Sequence, residues 1–229
     1  ISDWNGTLTK DRDERPILES IAADLFKASI PHHPLRMIRI LKAKRDLEAL
    51  QERGQEAGFD FAREMFRVYN ERVIKGSPVS FIQRSVDKYA IRKQTQEKVD
   101  HRVLRPIREC HRAGKTTAIL SAGYKYGIER VLMASGYDRY FDFCEANLLK
   151  ENEGRAIELG LDIYRNKSQL LLELLKDRNI DEGKAVYIGD SEYDEGCFEI
   201  VRYPVVAFFA GNDVKKRCAE KYKAFVPEN

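Results

Sequence analysis

The sequence predicts an α/β protein in which a parallel-sheet core is interrupted by an inserted bundle of helices. Two textures in the chain carry that prediction. From about residue 98 onward, short apolar runs alternate with helical patterns, whereas residues 11 to 97 contain helical patterns and almost nothing that alternates like a strand. A third observation is positional: Asp3, Ser121 and Asp190 each follow directly on a strand-like run. In a parallel sheet with helices on both faces, the carboxyl ends of the strands are where ligands bind.

The elements follow in order. Only Ile1 and Ser2 precede Asp3, and we expect the strand that carries it to begin upstream of residue 1. Leu35, Ile38 and Leu41, with Leu47 and Leu50 later, suggest a long helix after the break at Pro31-His32-His33-Pro34. Ala62, Met65, Phe66, Tyr69 and Val73 fall on one helical face. Val79, Ile82, Val86 and Tyr89 repeat the pattern behind Ser77-Pro78, an N-cap followed by a first-turn proline. A further helix ends near Ala113 and is closed by Gly114, after which Thr116 to Leu120 read as a strand. Tyr126 to Ser135 read as a helix closed by Gly136. Phe141 to Ile163 read as short strands around a turn. Ser168 to Lys176 form a leucine-rich helix, Ala185 to Ile188 a buried strand ending in Gly189-Asp190, and Val205 to Ala210 a last strand before a helix from about Asp213. The predicted division is a discontinuous core of residues 1–10 and 98–229 around a helical insert of residues 11–97.

Composition narrows the function classes. A chain of 229 residues with 43% apolar content can bury a substantial core. A formal charge of +3 is too small to argue for nucleic acid, and no basic stripe with interleaved aromatics is present. Cys110, Cys144, Cys197 and Cys218 are scattered without a C-x-x-C pair, as expected of reduced thiols in a cytoplasmic protein. No apolar run approaches membrane-spanning length and no basic-then-apolar leader precedes the first motif. His32, His33, His101 and His111 show no ligand spacing. Composition points to neither nucleic acid nor membrane as a partner; oligomeric state is left open.

Four short motifs carry the chemistry: Asp3-x-Asn5-Gly6-Thr7, Ser121, Lys167, and Gly189-Asp190-Ser191-x-x-Asp194. Each is common alone, but in this order and spacing the set resembles the haloacid dehalogenase (HAD) superfamily of phosphohydrolases. Ser121-Ala122-Gly123-Tyr124 and Ala146-Asn147-Leu148 followed by Gly154 look most like its phosphoserine phosphatase branch. That resemblance implies a Rossmann-like core with a helical cap inserted between the first two motifs, and a small phosphorylated metabolite as the partner.

It also implies roles. Asp3 becomes the nucleophile that forms an aspartyl-phosphate. Mg²⁺ is held by Asp3, the backbone carbonyl of Asn5, and Asp190; it masks the negative charge that would otherwise repel a phosphate. Gly6, Ser121, Ala122 and Lys167 bind the phosphoryl group, Ser121 and Lys167 stabilising it as charge spreads onto its oxygens. Asp194 orients Lys167 or the metal-bound waters. Lys167 stands just before a helix N-terminus, where a bound anion relieves the unfavourable dipole.

The chain departs from the family at Asn5, where the superfamily carries an acid that protonates the leaving group and later activates water. An amide does neither, so a slowed enzyme is expected. Asn5 is either natural variation or an inactivating substitution. The alternative reading is a protein that binds metal and a phosphorylated ligand without turnover. Arg12 and Arg15 are candidates to contact substrate, and Asp11, Asp13 or Glu14 is the acid that could meet a substrate amine.

Overall fold

The chain divides into two units, one formed by Ile1–Asp13, Ile91–Asn147 and Leu161–Asn229, the other by Glu14–Ala90 and Leu148–Gly160. The computed structural model describes residues 1–30, 32–53 and 60–227, with the backbone alone at 164 and 165. Pro31, part of the predicted break, lies outside the described residues. In chain order the helical elements of the insert are α1 (Arg15–Ser29), α2 (Pro34–Arg53), α3 (Phe61–Tyr69), a π-helical turn (Asn70–Ile74) and α4 (Val79–Ala90). There follow α5 (Lys93–Gln96), α6 (His101–Arg112), β1 (Ala118–Tyr124), α7 (Lys125–Ser135), β2 (Phe143–Asn147), β3 (Leu149–Asn152), β4 (Arg155–Leu159) and α8 (Asp162–Asp177). The chain closes with β5 (Val186–Gly189), α9 (Glu195–Ile200), β6 (Tyr203–Val206) and α10 (Asn212–Tyr222).

In the first unit, residues 1–3 form the middle of the sheet. Ser2 donates its amide to the Ala118 carbonyl at 2.9 Å and accepts from the Leu120 amide at 3.0 Å. On the opposite side Asp3 donates to Ile188 at 2.9 Å, and Ile188 donates to Ile1 at 3.0 Å. β1 pairs outward with β2, and β5 with β6, every pairing parallel. The spatial order is therefore β2, β1, residues 1–3, β5, β6, with crossovers supplied by helices, as parallel strands require. Leu120, Leu171, Tyr187, Phe198 and Val206 belong to one buried cluster between the sheet and α8, α9 and α10.

The helical unit pairs α1 with α4 and α2 with α3. Met65, Phe66, Tyr69 and Val73 are buried as their spacing predicts, and so are Ile82 and Val86. The π-turn that interrupts this helix was not legible in the spacing. The β3–β4 hairpin also belongs to this unit. Asn70 clasps it by donating Nδ2 to the Leu159 carbonyl at 2.9 Å and accepting the Leu159 amide at 2.7 Å. Gly76 and Ser77 exchange bonds with Ala156 at 2.8 and 2.9 Å.

Three expected element bounds shift, while the long helix expected from Leu35 to Leu50 is present as α2. On it Leu35, Ile38 and Leu41 are exposed, at 77%, 49% and 54%, and the core face is Ile40, Ala43 and Leu50. Two apolar stripes compete on this helix, and periodicity alone cannot say which one meets a partner. β1 runs on through Ser121 to Tyr124, with its register shifting between those two residues. α8 begins at Asp162, with a non-helical break at Asn166 immediately before Lys167. β6 ends at Val206: the Ala207 amide makes the last rung with the Gly189 carbonyl at 2.8 Å, and the chain then turns, the Ala210 amide reaching back to Ala207 at 3.2 Å.

Candidate functional site

The carboxyl ends of β1, residues 1–3 and β5 bring Ser121, Asp3 and Asp190 to one edge of the sheet. Asp3 is 7% exposed and its chain turns sharply after it. The Trp4 carbonyl accepts the amides of Leu8 and Thr9 at 2.9 and 3.1 Å, and the Gly6 amide donates to Asp11 at 2.7 Å. Gly6 has φ +68°, and a β-carbon there would overlap the carboxylate of Asp190. Glycine is needed both for the backbone angle and for the approach of Asp190. Thr7, fully buried, donates Oγ1 to Asp190 Oδ1 at 3.2 Å.

Lys167 lies between two carboxylates, with Nζ 3.1 Å from Asp3 Oδ1 and 2.6 Å from Asp194 Oδ1. The break at Asn166 re-aims the chain just before it. Asp194 is saturated. Its Oδ1 accepts from Lys167 and from the Tyr187 hydroxyl at 2.9 Å; its Oδ2 accepts from the Asp190 amide, the Ser191 amide and the Ser191 hydroxyl at 3.0, 3.1 and 3.0 Å. Burial opposes its charge, but Lys167 and these donors outweigh burial and hold the carboxyl below its usual range. Lys167 is buried too, yet Asp194 and Asp3 raise its ammonium above the usual lysine range.

Asp3 and Asp190 are shifted the other way. Burial raises the Asp3 carboxyl, Lys167 partly offsets this, and Asp194 adds to it. Asp190 is pushed up to about 8, by burial first and then by repulsion from Asp3 and Asp194. Three carboxylates therefore share one ammonium.

Ser121 is buried, accepts the Gly123 amide at 3.2 Å through Oγ, and hydrogen-bonds the Asp3 carboxylate. The Ala122 carbonyl accepts Asn147 Nδ2 at 2.6 Å, while Asn147 Oδ1 accepts the Ile163 amide at 3.1 Å. Asn147 thus ties the end of β1 to the start of α8. Neither Asn147 nor Tyr187 was picked out from sequence as part of the site. A polar residue closing an apolar strand was the available signal for Asn147, and a tyrosine two residues before Gly189 for Tyr187.

Asn5 is half-buried and bridges to Thr9. Arg12 is exposed, with its guanidinium 3.5 Å from the Phe209 carbonyl, and Asp11 is engaged by Lys98 at 2.7 Å. Glu14 and Arg15 belong to the helical unit. Glu14 is buried ahead of α1, and the Arg15 guanidinium lies over the Phe61 ring, 5.1 Å from its centroid.

Carboxylate oxygens of Asp3, Asp190 and Asp194 lie within 4.8 Å of one another. With every donor already used on Asp194, the open ligands are Asp3 and Asp190. Asp3 Oδ1 is buried and accepts no aligned hydrogen bond, the Lys167 contact being ionic only. An orphaned carboxylate oxygen, a hard all-oxygen donor set and a buried excess of negative charge together fit a hard divalent cation.

A sequence model of the family described as haloacid dehalogenase-like hydrolase matches residues 1–199. No curated protein sequence matches the chain significantly. Among solved structures, a substrate-bound phosphoserine phosphatase complex superposes with a TM-score of 0.61 at 16% identity, covering 100% of this chain and 91% of that one. A protein of unknown function from Bordetella pertussis Tohama I gives 0.69 at 16% identity, covering 99% and 96%. Cytosolic 5'-nucleotidase IIIB bound to cytidine gives 0.60 at 16% identity, covering 98% and 77%. At these identities the likeness is one of fold.

Proposed function

The chain belongs to the haloacid dehalogenase-like hydrolases, and on that premise we propose that it is a Mg²⁺-dependent phosphohydrolase of small phosphomonoesters that works through Asp3. The observation that carries this reading is the buried charge imbalance at the sheet edge: Asp3, Asp190 and Asp194 against Lys167 alone. A structural ion pair needs one acid. A surplus of two, one of them an unbonded oxygen on Asp3, is an arrangement that costs stability and makes chemical sense around a cation and a phosphate.

Asp3, Asp190 and the backbone carbonyl of Asn5 would hold the metal. When bound, the ion would neutralise phosphoryl oxygens and let a carboxylate approach them. A carboxylate oxygen of Asp3 attacks phosphorus; that O–P bond forms as the ester P–O bond breaks. Lys167, fixed by Asp194, and Ser121 donate to the phosphoryl oxygens as charge builds on them. The leaving alkoxide takes its proton from solvent; water then attacks the same phosphorus, the Asp3 O–P bond breaks and the water's proton passes to solvent, releasing inorganic phosphate and restoring the Asp3 carboxylate. Ala122 contributes a backbone amide to the phosphate position, Gly6 (its own amide held by Asp11) leaves room beside it, and the helical segment serves as the cap that selects the substrate. The phosphatase and nucleotidase among the structural neighbours support phosphoester hydrolysis in general and leave the substrate open among small phosphomonoesters.

Asn5 supports a second reading. With an amide at the acid's position, no side chain of the first motif delivers a proton to the leaving oxygen. The protein is then a metal-dependent binder of a phosphorylated ligand. One experiment separates the two: phosphate release from a panel of phosphomonoesters with Mg²⁺, using the unaltered protein, Asp3→Ala and Asn5→Asp. Turnover that Asp3→Ala abolishes and Asn5→Asp raises supports the hydrolase. Saturable ligand binding with no turnover by the unaltered or the Asn5→Asp protein supports the binder and sinks the hydrolase.

A further inference from the structure

Three arginines of the helical unit gather with no acid among them. Arg36 and Arg39 stand one turn apart on α2, and Arg155 opens β4. Arg39 donates Nη2 to the Glu71 carbonyl at 2.6 Å, and Arg155 donates Nη1 to the Gly76 carbonyl at 3.1 Å. Glu71 lies inside the π-turn and Gly76 just after it; the Lys75 amide reaches back to Asn70, while the Gly76 amide, which would continue that pattern to Glu71, turns away to Ala156. Arg39 therefore caps a carbonyl that the helix leaves open, and Arg155 caps one in the loop that follows.

Capping uses one N–H of the five that each guanidinium carries. Several neighbouring acids are committed elsewhere: Glu71 to Arg67 at 3.2 Å, Asp46 to Arg72 at 3.5 Å and Glu158 to Lys150 at 3.1 Å. Among the described residues, none of the three arginines has a carboxylate within ion-pair distance. Arg36 is held below the usual arginine range, by burial first and then by Arg155 and Arg39. Like charges brought this close repel, and nothing in the local hydrogen bonding requires Arg36.

We propose that Arg36, Arg39 and Arg155 form a binding site for a phosphate-class oxyanion. Guanidinium forks supplied from two elements around the π-turn suit a tetrahedral oxyanion, and three positive charges favour a dianion over a lone carboxylate. The site uses neither metal nor acid, so it does not rest on the catalytic reading of Asp3. The oxyanion has two possible sources, a free inorganic ion or a phosphate carried on a larger molecule, and the recognising chemistry is the same for both.

The test is calorimetric titration of the full chain in EDTA with inorganic phosphate, pyrophosphate, O-phosphoserine and AMP. The variants are R36Q, R36Q/R39Q and R155Q, with R63Q as a charge-matched change on α3. Loss of one charge-assisted contact is expected to weaken binding about tenfold in R36Q and in R155Q, and further in the double variant, with R63Q unchanged. Arg36 caps no carbonyl among the described residues, so R36Q keeps the backbone bonds, and its melting temperature is expected to hold or rise as crowding is relieved. Binding of the inorganic ions assigns a free anion, and binding of the esters alone assigns a phosphate on a larger ligand. Equal affinities in the unaltered protein, R36Q and R155Q, or no binding of any probe, would overturn the site.

Discussion

Gly6 and Asp190, 184 positions apart in the chain, occupy the same space so tightly that the first has no room for a β-carbon beside the carboxylate of the second. The contact fixes Asp190 against the turn that follows Asp3. It also makes Gly6 a position where a single methyl group should be felt. Gly6→Ala is expected to cost at least about 1–2 kcal/mol from its left-handed backbone alone, with more from displacing Asp190. Thermal melts with and without Mg²⁺ check this: the variant should melt lower and lose most of the metal-induced rise. An unchanged metal response would separate Gly6 from the Asp190 site.

Lys167 holds the site's only buried positive charge among the described residues. Lys167→Met would strand Asp3 and Asp194 without a counter-charge, and breaking such a buried pair typically costs about 3–5 kcal/mol. Urea unfolding should show that loss. Mg²⁺ should recover part of it by replacing the missing charge, while Lys115→Met on the surface should cost little.

Asp190 makes the metal-free protein pH-sensitive. Its carboxyl sits at about 8 in the fold against an ordinary value of 3.8. Between those values the folded chain keeps a proton that the unfolded chain has shed, so the contribution of Asp190 to stability is fully present below about pH 4 and lost as pH rises through about 8. Thermal melts in EDTA should therefore fall across that window. A divalent cation has to displace the same proton, so its affinity should rise about tenfold per pH unit up to about pH 8 and then level. Calorimetry in a pH series reads this directly, and a flat affinity would contradict Asp190 as a ligand.

Asn5→Asp restores a proton donor and acceptor two residues beyond Asp3. General acid–base help is worth about 10²–10⁴-fold, and a gain of that size is expected with alkyl phosphates. With an aryl phosphate, whose leaving group needs little protonation, the gain should be much smaller. Equal gains on both substrates would point away from proton transfer.

Tyr187 should matter through Asp194 alone. Tyr187→Phe removes one of five donors to that carboxylate and is expected to cost about 1–2 kcal/mol, with a lowered turnover number and little change in KM. A KM effect as large as the kcat effect would place Tyr187 in substrate binding instead.

Much of this site was legible in the chain because its signals are local. Gly6, Gly189 and the acids beside them announce turns at strand ends, and the strands themselves are short apolar runs whose length and neighbours give them away. Lys167 was readable only through the order of the four motifs, since a lysine near a helix is ordinarily solvated. Ser191 and Tyr187 were not read as partners of Asp194, because a hydrogen bond between side chains leaves no periodic trace. The exposed face of α2 shows the same limit from the other side: Leu35, Ile38 and Leu41 repeat as a core stripe would, and only the packing of α3 against the opposite stripe decides the matter.

The sequence by itself determined the α/β class, the order of the elements and the identity of Asp3, Ser121, Lys167 and Asp190 as the polar residues to watch. The class and the elements depend on interactions within a few residues of each position, and Lys167 on the order of the motifs along the chain. The tertiary structure alone decided that Asp194 is saturated while Asp3 keeps an unbonded oxygen, that the β3–β4 hairpin belongs with the helices, and that Arg39 and Arg155 reach the carbonyls of Glu71 and Gly76. Those are outcomes of long-range pairing and of shared burial, where the charge a group can carry is set by neighbours that the chain supplies from far away.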